Sequence, residues 1–274
     1  MKAIFNSRII DTSKPLIPSS NRAFCYGDGL FETIVTGPDR IDLIGSHLGR
    51  MERGCQVLGM DFPAVLTEEY LRESIDQLVA ENGIKGNVRT KLMVWRNEGG
   101  LYAPEESSSN YLLECKPATK RFFRSAEEIG LSEVYHTHWS PISFAKTMNA
   151  LNYVLAGKEM TSKGWDDIIL TDYQGHISES HIANIFWIAN GKLYTPPSST
   201  GCIEGIMRKV MIELAANTGI TIHESLLSIK ELDTLQSIFS TNASGITWFK
   251  KLEKRQLENP EEFLTPILKQ LLRP

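Results

Sequence analysis

Residues 182–196, "IANIFWIANGKLYTP", set two β-branched and aromatic stretches on either side of Asn190-Gly191. Asn-Gly suits a two-residue hairpin turn because both positions accept positive φ. A hairpin here breaks the strand–helix alternation that a doubly wound parallel sheet requires. The opening "KAIFNSRIID" reads the same way, as a short strand pair turning at Asn6-Ser7. Helices stand between such pairs. "TEEYLRESIDQLVAENGI" (67–84) is the plainest: Thr67 caps it, Tyr70, Ile75, Leu78 and Val79 share a face, and Gly83 ends it. "SHLGRMERGCQVLGM" (46–60) repeats Leu48, Met51, Cys55 and Leu58 at helical spacing behind Ser46 as its expected N-cap. The pattern is mixed, α/β of the α+β kind.

The other segments fill in two lobes. Phe31 to Thr36 is a strand ended by the turn signal Gly37-Pro38-Asp39. "NVRTKLMVWR" and "NYLLECK" are strands of one sheet, joined by the loop "GGLYAPEESSS". "KPATKRFF" (116–123) is a composition break, which puts a domain boundary at Pro117 and divides the chain into 1–117 and 118–274. Beyond it, "GLSEVYHTHWSP" and "DDIILTD" read as strands, and "GIMRKVMIELAANTGI" as a helix closed by Gly219. "TIHESLL" and "SIFSTNASGITWFKKL" are strands, and "PEEFLTPILKQLL" (260–272) is a final helix.

At 274 residues and 42% hydrophobic, the chain can bury a core without staples. A formal net charge of −4 argues against a nucleic-acid partner. Cys25, Cys55, Cys115 and Cys202 have neither zinc-ligand nor redox CxxC spacing, which reads as reduced thiols in the cytoplasm. The opening lacks an apolar stretch long enough for a signal peptide, and no segment reads as a membrane span.

Three segments can carry chemistry. In "SFAKTMNALNYVLAG" (143–157), Met148, Leu151, Val154 and Leu155 form a helical stripe, and Lys146 lies off it. Such a lysine is either solvated in the first turn of a helix or a nucleophilic amine kept partly neutral by desolvation or a nearby cation. In "GHISESHIANIF", Glu179 is either a solvated strand-edge carboxylate or a buried acceptor for a protonated heterocyclic nitrogen. In "GCIEGIMRKV", a helix starting after Gly205 would aim the N–H groups of Ile206 and Met207 at an anion. "STNASG" adds Thr241 and Asn242 as donors in a polar loop. His136 and His138 would share one strand face, but no third ligand follows, so no metal is expected.

Taken in order, "RAFCYGDGLFET", "HLGRM", "AKTMNALNYVLA", "ISESHIANIFW", "EGIMRKV" and "STNASGI" resemble the class IV aminotransferase family, the fold-type IV enzymes that use pyridoxal 5′-phosphate. The resemblance covers nearly the whole chain. It implies a smaller N-terminal and a larger C-terminal lobe with the cofactor between them, a D-amino acid aminotransferase-like fold, and a homodimer acting on a small amino or amino-acid substrate. It further implies Lys146 as the Schiff-base lysine and proton shuttle, and Glu179 as the partner of the pyridine nitrogen. Arg50, Ile206, Met207, Thr241 and Asn242 would then grip the phosphate. "FETIV", "ANIFW" and "EGIMR" look most like the 4-amino-4-deoxychorismate lyase branch, which yields 4-aminobenzoate and pyruvate. The alternative is an aminotransferase of D-amino or branched-chain acids, although Leu151 stands where branched-chain enzymes carry a tyrosine. The lyase "GGRGY" loop reads "GGLYAP" here, with Leu101 replacing its arginine, so Arg96 or Arg89 is the expected cation for a substrate carboxylate.

Overall fold

The computed structural model describes residues 1–38, 40–118 and 122–271. They fall into two compact units. One takes in the described residues of 1–120 together with Ala145–Asn149, and the other those of 121–144 and 150–273. Asp39 of the expected turn, residues 119–121 at the expected boundary and Leu272 of the expected last helix lie outside the described residues. Among the described residues no helix is long and apolar enough to cross a membrane.

The first unit contains β1 (Lys2–Phe5), β2 (Arg8–Asp11), α1 (Arg22–Tyr26), β3 (Gly29–Thr36), α2 (Ile44–Leu58), α3 (Glu68–Asn82), β4 (Val88–Arg96) and β5 (Ser109–Pro117). Its five strands form an antiparallel sheet in the order β2-β1-β5-β4-β3. Asn6 and Ser7, with φ of 45° and 64°, make the tight turn between β1 and β2. The side chain of Thr67 accepts from the Tyr70 N–H, and Gly83 ends α3 in the left-handed region. Leu71, Ile75 and Leu78 are the buried face of α3, with Tyr70 and Val79 half-buried beside them. Ser46 is not a cap: α2 starts two residues earlier, at Ile44, with Leu43 in the N-cap position and no side-chain cap bond.

Ala145–Asn149 joins this unit through backbone pairing. The Phe31 N–H donates to Lys146 O at 2.8 Å, and the Met148 N–H to Gly29 O at 2.9 Å. The segment is therefore laid along the start of β3, and Lys146 is not in a helix. The helix expected around it begins only at Leu151.

The second unit contains β6 (Phe123–His136), α4 (Leu151–Lys163), β7 (Asp167–Thr171), β8 (Ile177–Ser180), β9 (Asn184–Ala189), β10 (Lys192–Thr195), α5 (Ile206–Asn217), β11 (Ile222–Glu224), β12 (Ser237–Asn242), β13 (Gly245–Leu252), β14 (Arg255–Gln256) and α6 (Glu261–Leu271). Its sheet is mixed: β6 runs parallel to β13 and β7, while β9 runs antiparallel to β10 and β12. The strand order is β11-β10-β9-β12-β13-β6-β7-β8, and β8 pairs again with β9. That last pairing closes six strands into a ring around Ile129, Ile169, Ile177, Ile185, Ile238 and Phe249. The expected apolar stripe of α4 is not buried in this unit, since Leu151 and Val154 are 64% and 57% exposed.

Thr67→Ala is expected to cost about 1 kcal/mol of stability. Ser46→Ala, at an exposed position inside the first turn of α2, should change it by less than about 0.5 kcal/mol. Urea melts of the two variants check both values.

Candidate active site

In the first unit the sheet presents Lys146 and a second lysine to one ring. Lys146 Nζ and Lys91 Nζ each lie 5.3 Å from the centre of the Phe31 ring. Phe31 opposes Met93, and Thr33 opposes Lys91, across β3 and β4. Side chains alternate along a strand, so Phe31, Thr33, Lys91 and Met93 share a face, and Arg89 joins them. Arg89 is exposed, while Lys91 and Lys146 are half-buried.

Arg50 lies on α2 and is buried against Glu32 of β3. Its Nε donates to Glu32 Oε1 at 2.7 Å and its Nη2 to Oε2 at 2.5 Å. His47, one turn earlier on the same helix, pairs through Nδ1 with Oε2 at 2.7 Å. Burial pushes the Glu32 carboxyl up, but the Arg50 charge and hydrogen bonds from His47 and Arg50 outweigh it and leave the group at about 2. The fork-to-fork geometry fixes the plane of the Arg50 guanidinium.

Arg96 is corrected from its expected role as a substrate cation. It is 3% exposed and donates to Asp28 Oδ2, to the Gly59 and Glu106 carbonyls, and to Leu58 O. Arg22 shares Asp28 and donates to the carbonyls of Gly99, Gly100 and Leu101. Burial raises the Asp28 carboxyl, and bonds from the two arginines overcome this and hold it below its ordinary value. Arg96 is thus committed to holding loops.

In the second unit Glu179, Asn184 and Thr241 occupy one register row across β8, β9 and β12. Direct cross-strand neighbours present their side chains on one face. Glu179 is 2% exposed. Tyr153 of α4 donates its hydroxyl to Glu179 Oε1 at 2.7 Å, and the Ile203 N–H donates to Oε2 at 3.0 Å. Asn184 Nδ2 donates to Ile203 O at 2.7 Å, which anchors the turn leading into α5. Helix α5 opens at Ile206 behind Gly205, with no side-chain cap on its first N–H groups. A Cβ on Gly205 would come within 1.9 Å of Asn184 Oδ1, so any larger residue here would have to displace the Asn184 side chain. Thr241 Oγ1 is buried with no partner among the described residues. Asn242 spends its side-chain oxygen on the Ser244 N–H, shaping the turn after β12.

Among the described residues this unit therefore collects a buried carboxylate, an uncapped helix start and an unpaired hydroxyl around Asn184. A group bearing both a cationic ring nitrogen and an anion fits that donor and acceptor set. Lys91, Tyr153 and Asn184 were not singled out from the sequence. Strand alternation from Phe31 and Met93 was the available signal for Lys91, whereas nothing local pointed to Tyr153 or Asn184.

The family model described as "Amino-transferase class IV" matches residues 29–252. A putative branched-chain-amino-acid aminotransferase of Methanocaldococcus jannaschii is 26% identical over 267 residues, 95% of this chain and 91% of that protein. An aminodeoxychorismate lyase of Bacillus subtilis is 24% identical over 257 residues, 91% of this chain and 86% of that protein. Among solved structures, a hypothetical aminotransferase from Mycobacterium tuberculosis in its PLP-bound form superposes with a TM-score of 0.82 at 18% identity. That match spans 99% of this chain and 99% of the other, so the two share a fold.

Glu32→Gln should destabilise the protein by roughly 3–5 kcal/mol at pH 7, because it leaves the buried Arg50 guanidinium without its anion. The folded Glu32 value is depressed, so its contribution is complete above the ordinary value of 4.5 and is lost as pH falls towards 2. Denaturant melts across that window should show the gap between wild type and Glu32→Gln closing as the pH drops.

Proposed function

The chain belongs to the class IV aminotransferase family, has the fold-type IV architecture and is an enzyme, and from that premise we propose that it binds pyridoxal 5′-phosphate and acts as a 4-amino-4-deoxychorismate lyase. The observation that carries the choice of substrate is the pair of lysine amino groups on Phe31. One of them, Lys146, is the amine that joins the cofactor. The other, Lys91, is then a cation on the same ring as the reacting amine, with Arg89 two residues away on the same sheet face. The substrate of the lyase carries two carboxylates, and a pocket for it needs cations beyond those that hold a phosphate. Arg96 is committed elsewhere, so Lys91 takes the role expected of it. The likeness to the Bacillus subtilis aminodeoxychorismate lyase is in keeping with this reading, as that to the Methanocaldococcus jannaschii protein is with the aminotransferase alternative.

The remaining roles follow residue by residue. Arg50, oriented by Glu32, meets the phosphate. The Ile206 and Met207 N–H groups and the Thr241 hydroxyl do the same, with the backbone near Asn242 alongside them. Glu179 accepts from the protonated ring nitrogen. When bound, the cofactor supplies a carbonyl for imine exchange and a ring that takes up the electron pair left on the substrate carbon. Lys146 Nζ removes the proton from the carbon bearing the substrate amine. The enolpyruvyl group then leaves with its C–O bonding pair and gains a proton to become pyruvate, and the ring becomes aromatic 4-aminobenzoate. Lys91 holds a substrate carboxylate while the bond breaks.

The test is turnover of 4-amino-4-deoxychorismate with no 2-oxo acid added. The reading expects 4-aminobenzoate and pyruvate in equal amounts, and Lys91→Met should lower kcat/KM by about 1.5–3 kcal/mol, mostly through KM. Consumption of branched-chain or D-amino acids that requires a 2-oxo acid acceptor, with no 4-aminobenzoate formed, would make the enzyme an aminotransferase instead.

A further inference from the structure

Helix α4 contributes one side chain to the buried carboxylate of β8. Tyr153 is the third residue of the helix, and its hydroxyl donates to Glu179 Oε1 at 2.7 Å. The other carboxylate oxygen is met by the Ile203 N–H at 3.0 Å, from the turn that Asn184 anchors. Glu179 is thus gripped from two sides by elements far apart in sequence. The ring of Tyr153 packs beside the cluster of Ala156, Ile168 and Leu170. Packing alone could be served by phenylalanine, so the hydroxyl calls for its own account.

Burial, and then the charge of Glu179, push the Tyr153 phenol far above its ordinary value. It therefore remains a proton donor at any working pH and cannot itself carry charge. Cys202, also buried nearby, is raised to about 12 by burial first and Glu179 second, so its thiol stays neutral too. A fixed donor on one carboxylate oxygen does two things. It holds the carboxylate plane, and it stabilises the ionised form over the protonated one.

We infer that Tyr153 is a positioning residue that keeps Glu179 aligned and ionised, so that the proton shared with the cofactor ring rests on the ring nitrogen; the inference rests on the cofactor reading above. A carboxylate that lost this donor would be more basic and would draw that proton towards itself. The cofactor would be held less tightly and would be a weaker electron acceptor.

The experiment uses the full chain reconstituted with pyridoxal phosphate labelled with 15N in the ring. Wild type should give the chemical shift of a protonated ring nitrogen. Tyr153→Phe should move that shift towards the neutral value and weaken cofactor binding roughly tenfold, which equals about 1.4 kcal/mol. Tyr153→Met, also apolar and without a donor, provides the same readout should the phenylalanine variant fail to fold. In a Glu179→Ala background, Tyr153→Phe should add no further loss of affinity. An unmoved 15N shift in the Tyr153 variants, or an equal loss of affinity with and without Glu179, overturns the inference while leaving the cofactor reading intact. A wild-type protein that binds no pyridoxal phosphate overturns both.

Discussion

A carboxylate as deeply buried as Glu179 is stable only where donors meet it, since an unmatched anion out of water costs several kcal/mol. Much of the second unit is arranged around that demand. Strand β8 carries Glu179 to the row where it pairs with Asn184 and closes the ring of strands. Helix α4 supplies a hydroxyl from one side, and the turn at Ile203 supplies an N–H from the other. The same turn leads into the uncapped start of α5. A single carboxylate thereby links three elements: strand β8, helix α4 and the turn that leads into α5.

The first unit solves a similar problem with ion pairs. Glu32 takes a two-pronged bond from Arg50 and a further one from His47, and Asp28 takes two arginines. Buried pairs of this kind contribute little net stability compared with a well-packed apolar core. Their effect is orientational. Glu32 fixes the plane of Arg50, whereas Asp28 leaves Arg22 and Arg96 to bind loop carbonyls. Two arginines that look equally available in the sequence therefore have different fates, decided by which carboxylate and which carbonyls surround each one.

The sequence was most legible where structure is local. Asn6-Ser7, Asn190-Gly191, Thr67 and Gly83 each impose a backbone geometry within a few residues, and each is found doing so. Ser46 misled because it lies inside the first turn of α2, which begins at Ile44 behind Leu43, with Asp42 Oδ1 accepting from the Ile44 N–H. Lys146 misled because helical spacing in the residues after it concealed a non-local pairing with β3. Arg96 reads as a free cation until the Leu58, Gly59 and Glu106 carbonyls arrive from distant segments. Tyr153 lies off the apolar stripe of its helix, and its partner is 26 residues further along the chain. What escaped the sequence is what depends on contacts between segments remote in the chain.

The account turns on Lys146, rather than its neighbour on the Phe31 ring, being the amine that joins the cofactor. Incubating the purified chain with pyridoxal phosphate, reducing it with borohydride and mapping the modified peptide by mass spectrometry tests this most directly. The phosphopyridoxyl mass should sit on Lys146 at close to one per chain, and Lys146→Ala should abolish it. A stoichiometric label on Lys91, or a label that survives in Lys146→Ala, would contradict the account.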